Sequence, residues 1–506
     1  MRSVGVVQLP EAEPRAETDE PVATALGAQW SATEILDRRQ KRFLTVAGLV
    51  LAAALLIAPL PTLIVVMTIV TAVYFSVVCH RLYVSYHSLR NPDLVRVTDA
   101  EARAVPARDL PVYTVLVPAY HEAAVIPSLV ANLRALEYPR DRLDLKLLLE
   151  ADDHETIAAA RAVAPDLEIV LVPPGEPRTK PKALNCGLQA ARGEYVTIYD
   201  AEDNPDPLQL RRAVVGFRRL PDDVACIQAQ LTFHGWDRNI ITRWFTIEYL
   251  MWFDLFLPGL SSTGAPIPLG GTSNHVRRDV LDAVGAWDPY NVTEDADLGI
   301  RLHCAGWRTA VLDSTTYEEP NGDFVNWMKQ RSRWYKGYLQ TWLVYLRTPV
   351  RHWRELGSGG FFQLNLFVGG TPVLAIINPI FWLLTLLWFG GKVSIIQEMF
   401  PAPLYHLALF CWVVGNFAVL YLTILAARRT ERNSLVWAAC LVPGYWVMMS
   451  IAAIKGLVQL VISPSYWEKT MHGLHLGRVR DSASRTDSST GGGALVNVVG
   501  KTGPTH

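Results

Sequence analysis

The sequence has few cysteines, almost no net charge and no apolar stretch near its amino terminus. Six cysteines occur among 506 residues, and no two form a Cys-x-x-Cys pair. This argues against a disulfide framework or a zinc site and is typical of a reducing compartment. The formal net charge is -1, so we expect no binding of nucleic acid. The first apolar run begins near Phe43, and we therefore expect no secretory signal peptide.

Long hydrophobic runs, in contrast, are present. Half of the residues are hydrophobic and 19% are charged, which predicts a soluble domain joined to membrane spans. Residues 43–60 and 62–79 are each long enough to cross a bilayer, and Pro61 separates them. Basic residues flank both outer ends of this predicted hairpin, so the positive-inside rule places those ends in the cytosol.

Further apolar runs follow a central, more polar region. Residues 372–389 and 404–427 are predicted spans, while 435–462 is either one tilted span or a hairpin broken at Pro443; we favour the break. The predicted organisation is a disordered cytosolic tail at 1–37, a transmembrane hairpin at 38–90, a cytosolic α/β domain at 105–335, amphipathic interface helices at 336–371, a transmembrane region at 372–463, and a cytosolic tail at 464–506, disordered from about 481.

The central region alternates strand-like and helix-like stretches. The predicted strands cover residues 112–117, 143–149, 167–172 and 195–199. This alternation predicts a doubly wound, mostly parallel sheet. The last strand leads into Asp200, Glu202 and Asp203. Carboxylates two residues apart at a sheet edge suit a hard divalent cation that holds a diphosphate, although an acidic surface loop is the alternative.

Four motifs in order give the sequence a family resemblance. They are Asp152, then Asp200 with Glu202, then Thr293-Glu294-Asp295, then the Gln330 to Trp334 segment QRSRW. This order resembles the membrane-bound, inverting glycosyltransferases of family 2, which include cellulose, chitin, curdlan and hyaluronan synthases. The resemblance implies a GT-A-type fold inserted between transmembrane helices. One departure is Glu202, where the family pattern has an aspartate, so either Glu202 or Asp203 could be the second ligand.

The resemblance also implies roles for individual residues at the donor. Asp200 and Glu202 would bind Mg²⁺ or Mn²⁺, and Arg333 would add a guanidinium to the diphosphate. The remaining nucleotide-binding residues implied in this way are Tyr120, Glu122, Asp152, Lys182 and Gln330. For Lys182, a solvated lysine at a helix start is the alternative.

On the acceptor side, Asp295 is the candidate general base, and a capped helix start at Thr293 is a compatible second interpretation. The resemblance implies that Trp334 stacks on the acceptor sugar and that Glu294 and Asn274 lie near the acceptor. Asn274 and His275 are expected to face the donor sugar.

Two aromatic stretches are predicted to lie at the membrane surface. The first runs from Trp327 to Tyr345 and carries several basic residues, which is typical of an interface helix. For Trp342 and Tyr345 an interfacial location is favoured. The second, residues 240–260, contains Arg243, Glu248 and Asp254 and is therefore expected to lie on the membrane without crossing it.

These observations predict a hexosyltransferase in the cell membrane with its catalytic domain in the cytosol. The first hypothesis is a processive synthase that extends a β-linked polysaccharide from UDP-glucose and translocates it, with possible accessory secretion or hydrolase subunits. The alternatives are transfer of one sugar to a membrane lipid, a UDP-GlcNAc-type donor, or a non-catalytic secretion subunit. The expected partners are thus a UDP-sugar, a polysaccharide or lipid acceptor, and the lipid bilayer.

Overall fold

The computed structural model describes residues 26–430, 432–464 and 466–468. The expected disorder of residues 1–25 and of the tail beyond 468 lies outside the described residues. Two helices open the described chain, α1 (Arg38–Ile57) and α2 (Pro59–Arg90). They separate at Ala58 rather than at Pro61, which lies in the first turn of α2. Proline is tolerated there because the first-turn N–H groups have no partner within the helix.

A mixed sheet forms the centre of the fold. Its strands are β1 (Leu94–Val95), β2 (Tyr113–Ala119), β3 (Leu143–Glu150), β4 (Glu168–Val172), β5 (Tyr195–Ile198), β6 (Asn204–Pro205), β7 (Val224–Phe233), β8 (Asn274–Arg277) and β9 (Arg308–Glu318). The strand order is β1-β9-β7-β8-β5-β2-β3-β4, and β6 pairs with β9. All of these pairings are parallel except those of β8 and β6. The predicted strands β2 to β5 and the mostly parallel, GT-A-like sheet are confirmed.

Helices connect these strands and cover both faces of the sheet. They are α3 (Asp99–Ala104), α4 (Ile126–Arg134), α5 (His154–Val163), α6 (Lys180–Ala190), α7 (Gln209–Arg219), α8 (Ile240–Leu250), α9 (Leu257–Ser262), α10 (Arg278–Ala283) and α11 (Glu294–Cys304). A π-helical turn, Met251–Phe256, joins α8 to α9. One apolar core on each face of the sheet holds the layers together.

Helix α11 fits closely against the loop that precedes β8. A Cβ atom at Gly299 would lie 2.0 Å from the carbonyl oxygen of Ile267, and backbone cannot yield as a flexible side chain does. Because overpacking forces the surrounding backbone to move, we expect Gly299→Ala to destabilise the protein by about 1–3 kcal/mol or more. Thermal unfolding in detergent measures the effect. Gly359→Ala is the control: a Cβ atom there would meet no atom within 4 Å, so the melting temperature should change little. Gly306→Ala would not serve, because the positive φ of Gly306 strains any other residue.

The carboxyl-terminal part is helical. Its helices are α12 (Phe324–Tyr345), α13 (Pro349–Leu364), α14 (Gly370–Gly391), α15 (Ser394–Met399), α16 (Ala402–Phe410), α17 (Asn416–Arg428), α18 (Asn433–Cys440) and α19 (Val442–Ile462). In the described residues, five stretches are long and apolar enough to cross a membrane: Arg38–Ile57, Pro59–Arg90, Pro349–Gly391, Ala402–Arg428 and Val442–Ile462. The predicted segment 435–462 is broken at Leu441, between α18 and α19. Helix α18 has only eight residues, however, and is too short to cross a membrane.

Helix α12 does not have the exposed basic face of an interface helix. Trp327, Lys336 and Tyr345 are fully buried, and α12 packs against α19. Arg331 forms a bidentate ion pair with Glu248 of α8, at 2.8 and 2.6 Å. The expectation of an interfacial Tyr345 is therefore wrong, because its ring packs inside the protein. Residues more than 80 positions away in the sequence pair with these charges and bury them. A local pattern of aromatic and basic residues does not reveal such distant contacts.

Candidate active site

The parallel strands deliver the predicted polar residues to one edge of the sheet. Strand β2 leads into Tyr120 and Glu122, β3 into Asp152, and β5 into Asp200 and Glu202. Because β3 and β5 both run parallel to β2, their carboxyl ends meet on the same side. These five predicted donor residues therefore converge, although they are up to 82 residues apart in the sequence.

Asp203 stabilises the acidic turn that follows β5. Its carboxylate is 1% exposed; Oδ2 accepts the N–H of Asp200 at 2.8 Å and also the Thr272 hydroxyl. Burial raises the pKa of Asp203 well above its usual range, and the charges of Asp200 and Glu202 add to this. Asp200 and Glu202 are partly exposed. The turn thus presents these two carboxylates outward, which favours Glu202 over Asp203 as the second ligand.

Lys180, which the sequence did not single out, lies within this acidic site. Its ammonium donates to Asp200 Oδ1 and, at 2.8 Å, to the carbonyl of Gly271. Lys182 instead donates to the carbonyls of Pro173 and Gly175 at 2.6 and 2.8 Å. It is 8% exposed and holds a loop, which contradicts the solvated alternative. Its predicted role at the nucleotide stays a prediction. Two lysines two residues apart point to different sides of a helix.

Asp200 and Asp295 face one shared space. A Cβ atom at Gly271 would be 3.3 Å from Asp295 Oδ2 and 3.8 Å from Lys180 Nζ. The Lys180 ammonium donates to Asp200, and the charge of Asp295 also acts on it, so both carboxylates lie near one ammonium group. The missing side chain at Gly271 keeps this space open. We call the space around the Lys180 ammonium that Asp200, Glu294 and Asp295 border the acidic cavity. It contains a candidate metal ligand and the candidate base.

The first turn of α11 carries two adjacent carboxyl groups, Glu294 and Asp295, in this cavity. Burial raises the pKa of both, and the charge of Asp295 raises that of Glu294 further. The cations Lys180 and Arg333 act in the opposite direction on each. A carboxylate with a raised pKa is a stronger proton acceptor, as a general base requires.

The raised pKa of Glu294 predicts a pH-dependent stability. Glutamate has an ordinary pKa of 4.5, and the folded protein raises it to about 8. Between these values the folded state holds a proton that the unfolded state has released, so stability falls as the pH rises through this window. We expect Glu294→Gln to flatten the fall in melting temperature between pH 5 and pH 8, measured without nucleotide or metal. An unchanged slope would place the titration elsewhere.

Glu318, at the end of β9, is an acidic residue that sequence reasoning missed. Burial raises its pKa well above the usual range, followed by the charges of Asp203, Glu202 and Asp200, while Lys180 lowers it. Its Oε2 accepts the Tyr249 hydroxyl at 3.4 Å. The carboxylate of Glu318 and those of the turn after β5 therefore repel each other within one site. An all-oxygen donor set with this unbalanced negative charge fits a divalent cation such as Mg²⁺ or Mn²⁺.

The QRSRW segment contributes unequally to the site. Arg333 is half-buried, interacts with the charges of Glu294, Asp295 and Asp200, and its guanidinium lies 4.4 Å from the ring centre of Trp467. Gln330 accepts a hydrogen bond from Asn321 at 2.8 Å, and no described contact joins it to the acidic groups. The contacts therefore associate Arg333, but not Gln330, with the predicted phosphate region.

Trp334 lies in an aromatic group beside the cavity. Its ring is stacked near Tyr249, with centroids 6.3 Å apart and planes at 28°, and the Arg331 guanidinium lies 4.3 Å from it. The ring remains partly exposed. Its predicted contact with an acceptor stays a prediction.

A second polar group lies where β2 and β3 end. Arg178 approaches Asp152 Oδ2 at 2.9 Å and donates to the Tyr120 hydroxyl at 3.1 Å. The N–H of Glu122 donates to Thr156 Oγ1 at 3.1 Å. The structure thus brings Tyr120 and Asp152 together, as predicted, and adds Arg178, whose loop position gave no signal in the sequence.

Asn274 and His275 do not both face the donor side. They are consecutive residues of β8, so their side chains point to opposite faces of the sheet. His275 is fully buried and its Nδ1 shares a 2.7 Å hydrogen bond with the Tyr113 hydroxyl; burial lowers its pKa to about 3. The expectation that His275 faces the sugar is wrong. Asn274 is 1% exposed and donates to the Gly270 carbonyl at 2.8 Å, so its contact supports the glycine-rich turn.

Several known proteins resemble this chain in sequence. A family model described as glycosyltransferase like family 2 matches residues 111–337. Beta-monoglucosyldiacylglycerol synthase of Synechocystis sp. is 30% identical over 345 residues, which cover 64% of this chain and 68% of that protein. The probable glycosyltransferase YdaM of Bacillus subtilis is 22% identical over 313 residues, 57% of this chain and 74% of that protein. Among solved structures, the mannosyltransferase PcManGT from Pyrobaculum calidifontis, in complex with GDP-Man and Mn²⁺, has 19% identity and a TM-score of 0.47, covering 80% of this chain and 99% of that one.

Proposed function

Since the chain belongs to glycosyltransferase family 2 and is a glycosyltransferase that uses a nucleotide sugar, we propose that it transfers one hexose to a membrane lipid. The observation that carries this proposal is the relative that is 30% identical over 68% of its length and is named as a synthase of a glucosylated diacylglycerol. This evidence favours the lipid acceptor over the processive polysaccharide synthase that we expected first. A hydroxyl of a diacylglycerol-type lipid is the proposed acceptor, and UDP-glucose is the proposed donor.

The position of the acidic cavity also supports a lipid acceptor. Helix α8 carries Glu248, and its Trp244 indole donates to the carbonyl of Ala438 in α18 at 2.9 Å. Tyr249 of the same helix reaches Glu318 in the acidic group. Helix α8 also packs against α17 and α19, which belong to the candidate membrane spans, so it contacts both the cavity and the apolar helices. A lipid held by its chains among those helices would present its headgroup to the cavity.

In the proposed donor complex, Tyr120, Asp152 and Arg178 surround the nucleoside. Asp200 and Glu202, with Glu318 nearby, would hold Mg²⁺ or Mn²⁺. When bound, such an ion neutralises the charge that develops on the leaving diphosphate. Lys180 and Arg333 add fixed positive charge at the same place.

Asp295 is the proposed general base. Its carboxylate accepts the proton of the acceptor hydroxyl while that oxygen bonds to the anomeric carbon and the diphosphate leaves from the opposite face. One displacement inverts the configuration, so an α-linked donor yields a β-linked product. Glu294, next to Asp295, is proposed to contact the acceptor, and Trp334 to pack against it.

We also propose a multi-pass location in the cell membrane with the transferase domain on the cytosolic side. Four basic residues, Arg38, Arg39, Lys41 and Arg42, lie at the start of α1. Arg428 and Arg429 lie at the end of α17. The positive-inside rule supports a cytosolic location for both ends. The domain limits predicted from the sequence remain part of this proposal.

The test uses purified full-length protein in mixed micelles that contain diacylglycerol, a panel of UDP-sugars, and Mg²⁺ or Mn²⁺. We expect a lipid carrying one β-linked hexose, with one UDP released per lipid modified. Long glycan chains formed without added lipid would overturn the lipid proposal and favour a polysaccharide synthase. Absence of both transfer and hydrolysis with every nucleotide sugar would favour a non-catalytic role.

Removing one proposed metal ligand should weaken the dependence on the cation. We expect Asp200→Asn to raise the Mn²⁺ concentration for half-maximal activity roughly ten- to a hundredfold, because a neutral amide replaces a charged ligand. A Mn²⁺ titration of initial rates measures this. Asp313→Asn, at an exposed carboxylate of β9, is the control and should leave the titration unchanged. Equal curves for wild type and Asp200→Asn would remove Asp200 from the metal site.

A further inference from the structure

A second group of potential metal ligands lies between α11 and α13, apart from the acidic cavity. It consists of Cys304 at the end of α11 and of His352 and Glu355 in α13. One ligand atom from each residue lies within 4.8 Å of the other two. His352 and Glu355 are one turn apart on one helix face, and Cys304 approaches them from the other helix.

We propose that Cys304, His352 and Glu355 bind one Zn²⁺ ion. Thiolate, imidazole and carboxylate are the three side-chain ligands that zinc uses in proteins, and a water molecule would complete a tetrahedron. His352 Nδ1 and Glu355 Oε2 are 3.1 Å apart. Two nitrogen or oxygen ligands of one tetrahedral zinc ion are separated by about 3.3 Å, so the spacing of this pair suits the ion. On binding, the proton that Nδ1 donates to Oε2 would leave Nδ1, and the imidazole would take its Nε2–H tautomer. The sulfur would move inward by about one ångström.

The surroundings suit an ion of this charge. A thiolate and a carboxylate together neutralise Zn²⁺, and the thiol proton is released to solvent on binding. The His352 side chain is 3% exposed, and Trp30 packs edge-on against its ring with centroids 5.0 Å apart. Arg351 holds the other oxygen of Glu355 at 2.7 Å and so fixes the carboxylate while leaving Oε2 directed at His352.

The expectation that the chain has no zinc site came from the absence of closely spaced cysteines. That criterion cannot detect this group, because its ligands come from two helices that are separated in the sequence by β9 and α12. The ion would tie the end of α11 to α13. Along α11, Cys304 is about 15 Å from Glu294, so this site is separate from the acidic cavity. The proposal does not depend on the identity of the acceptor.

Cobalt alone, added to the full-length protein after removal of metals by a chelator, tests the proposal without an activity assay. Thiolate-bound Co²⁺ gives an intense near-ultraviolet charge-transfer absorption, which the all-oxygen acidic site cannot produce. We expect this band at one Co²⁺ per chain and its loss when Zn²⁺ is added. Wild-type protein without the band would overturn the proposal.

Single substitutions show which side chains bind the metal. Cys304→Ser should abolish the band, and His352→Gln should weaken Zn²⁺ binding roughly tenfold or more. Cys440→Ser, at an exposed cysteine, and His303→Gln, next to Cys304 but outside the group, are the matched controls and should retain the band. A band that persists in Cys304→Ser would assign it to another cysteine and refute the site. The wild-type spectrum remains decisive if a variant does not fold.

Discussion

Replacing Asp295 with asparagine is expected to lower the turnover number for sugar transfer by about 10²–10⁴, the usual contribution of a general base. The amide has nearly the shape of the carboxylate but cannot accept the proton of the acceptor hydroxyl. The side chain lies beside Gly271 and keeps its size in the variant, so the substitution should leave the donor site intact. Initial rates with UDP-glucose and diacylglycerol, together with UDP binding by calorimetry, separate the chemical step from binding.

Asp313→Asn is again the control, since that carboxylate is exposed and pairs with Arg96 on the surface. It should retain wild-type turnover. If Asp295→Asn also retained full turnover, Asp295 would not be the base. Glu294→Gln would then be the next variant to test, because its carboxyl group occupies the same cavity and burial raises its pKa as well.

The sequence predicted the parallel half of the sheet because the information there is local. Strands β2 to β5 are short apolar runs, each followed by a helix-forming stretch, and right-handed connections between such units leave few possible arrangements. The polar residues after these strands, Asp152 and Asp200 among them, therefore fall at one edge of the predicted sheet. This local pattern was sufficient to predict that these residues lie together.

The other half of the sheet could not be predicted in this way. Strand β8 lies antiparallel between β5 and β7, and β9 pairs with β7 across a long connection. Glu318 reaches the acidic site only through that pairing. Arg178 likewise lies on a loop, and only its contacts with Tyr120 and Asp152 identify it. Side chains brought together by non-local pairing leave no periodic signal in the sequence.

The second wrong expectation concerned the basic residues of α12, because Arg331 is buried. Basic and aromatic residues alternate along α12, which is typical of a helix at a membrane surface. In the structure, Arg331 lies instead between Glu248 and the Tyr445 hydroxyl, at 2.6–3.2 Å. These partners lie 83 and 114 residues away. A surface helix and a buried helix with distant counter-charges have the same local pattern, so the sequence could not distinguish them.

The two lysines at the start of α6 provide a matched pair of variants. We expect Lys180→Met to reduce turnover by about 10²–10³, because its ammonium lies between Asp200 and the Gly271 carbonyl, where charge develops on the leaving group. Lys182→Met should instead destabilise the protein by about 1.5–3 kcal/mol, since it removes charged hydrogen bonds to two carbonyls of a loop. The folded Lys182→Met protein should retain turnover close to that of wild type.

Turnover and melting temperature, measured for both variants in the same detergent, separate the two roles. The resemblance to family 2 enzymes pointed to Lys182, and the contacts point to Lys180, so the two assignments predict opposite results. A large loss of turnover in folded Lys182→Met, with Lys180→Met active, would restore the first assignment. It would also mean that the Lys180–Asp200 bond is broken in the reacting complex. The opposite result would place a fixed positive charge next to the candidate metal ligands, where the diphosphate leaves.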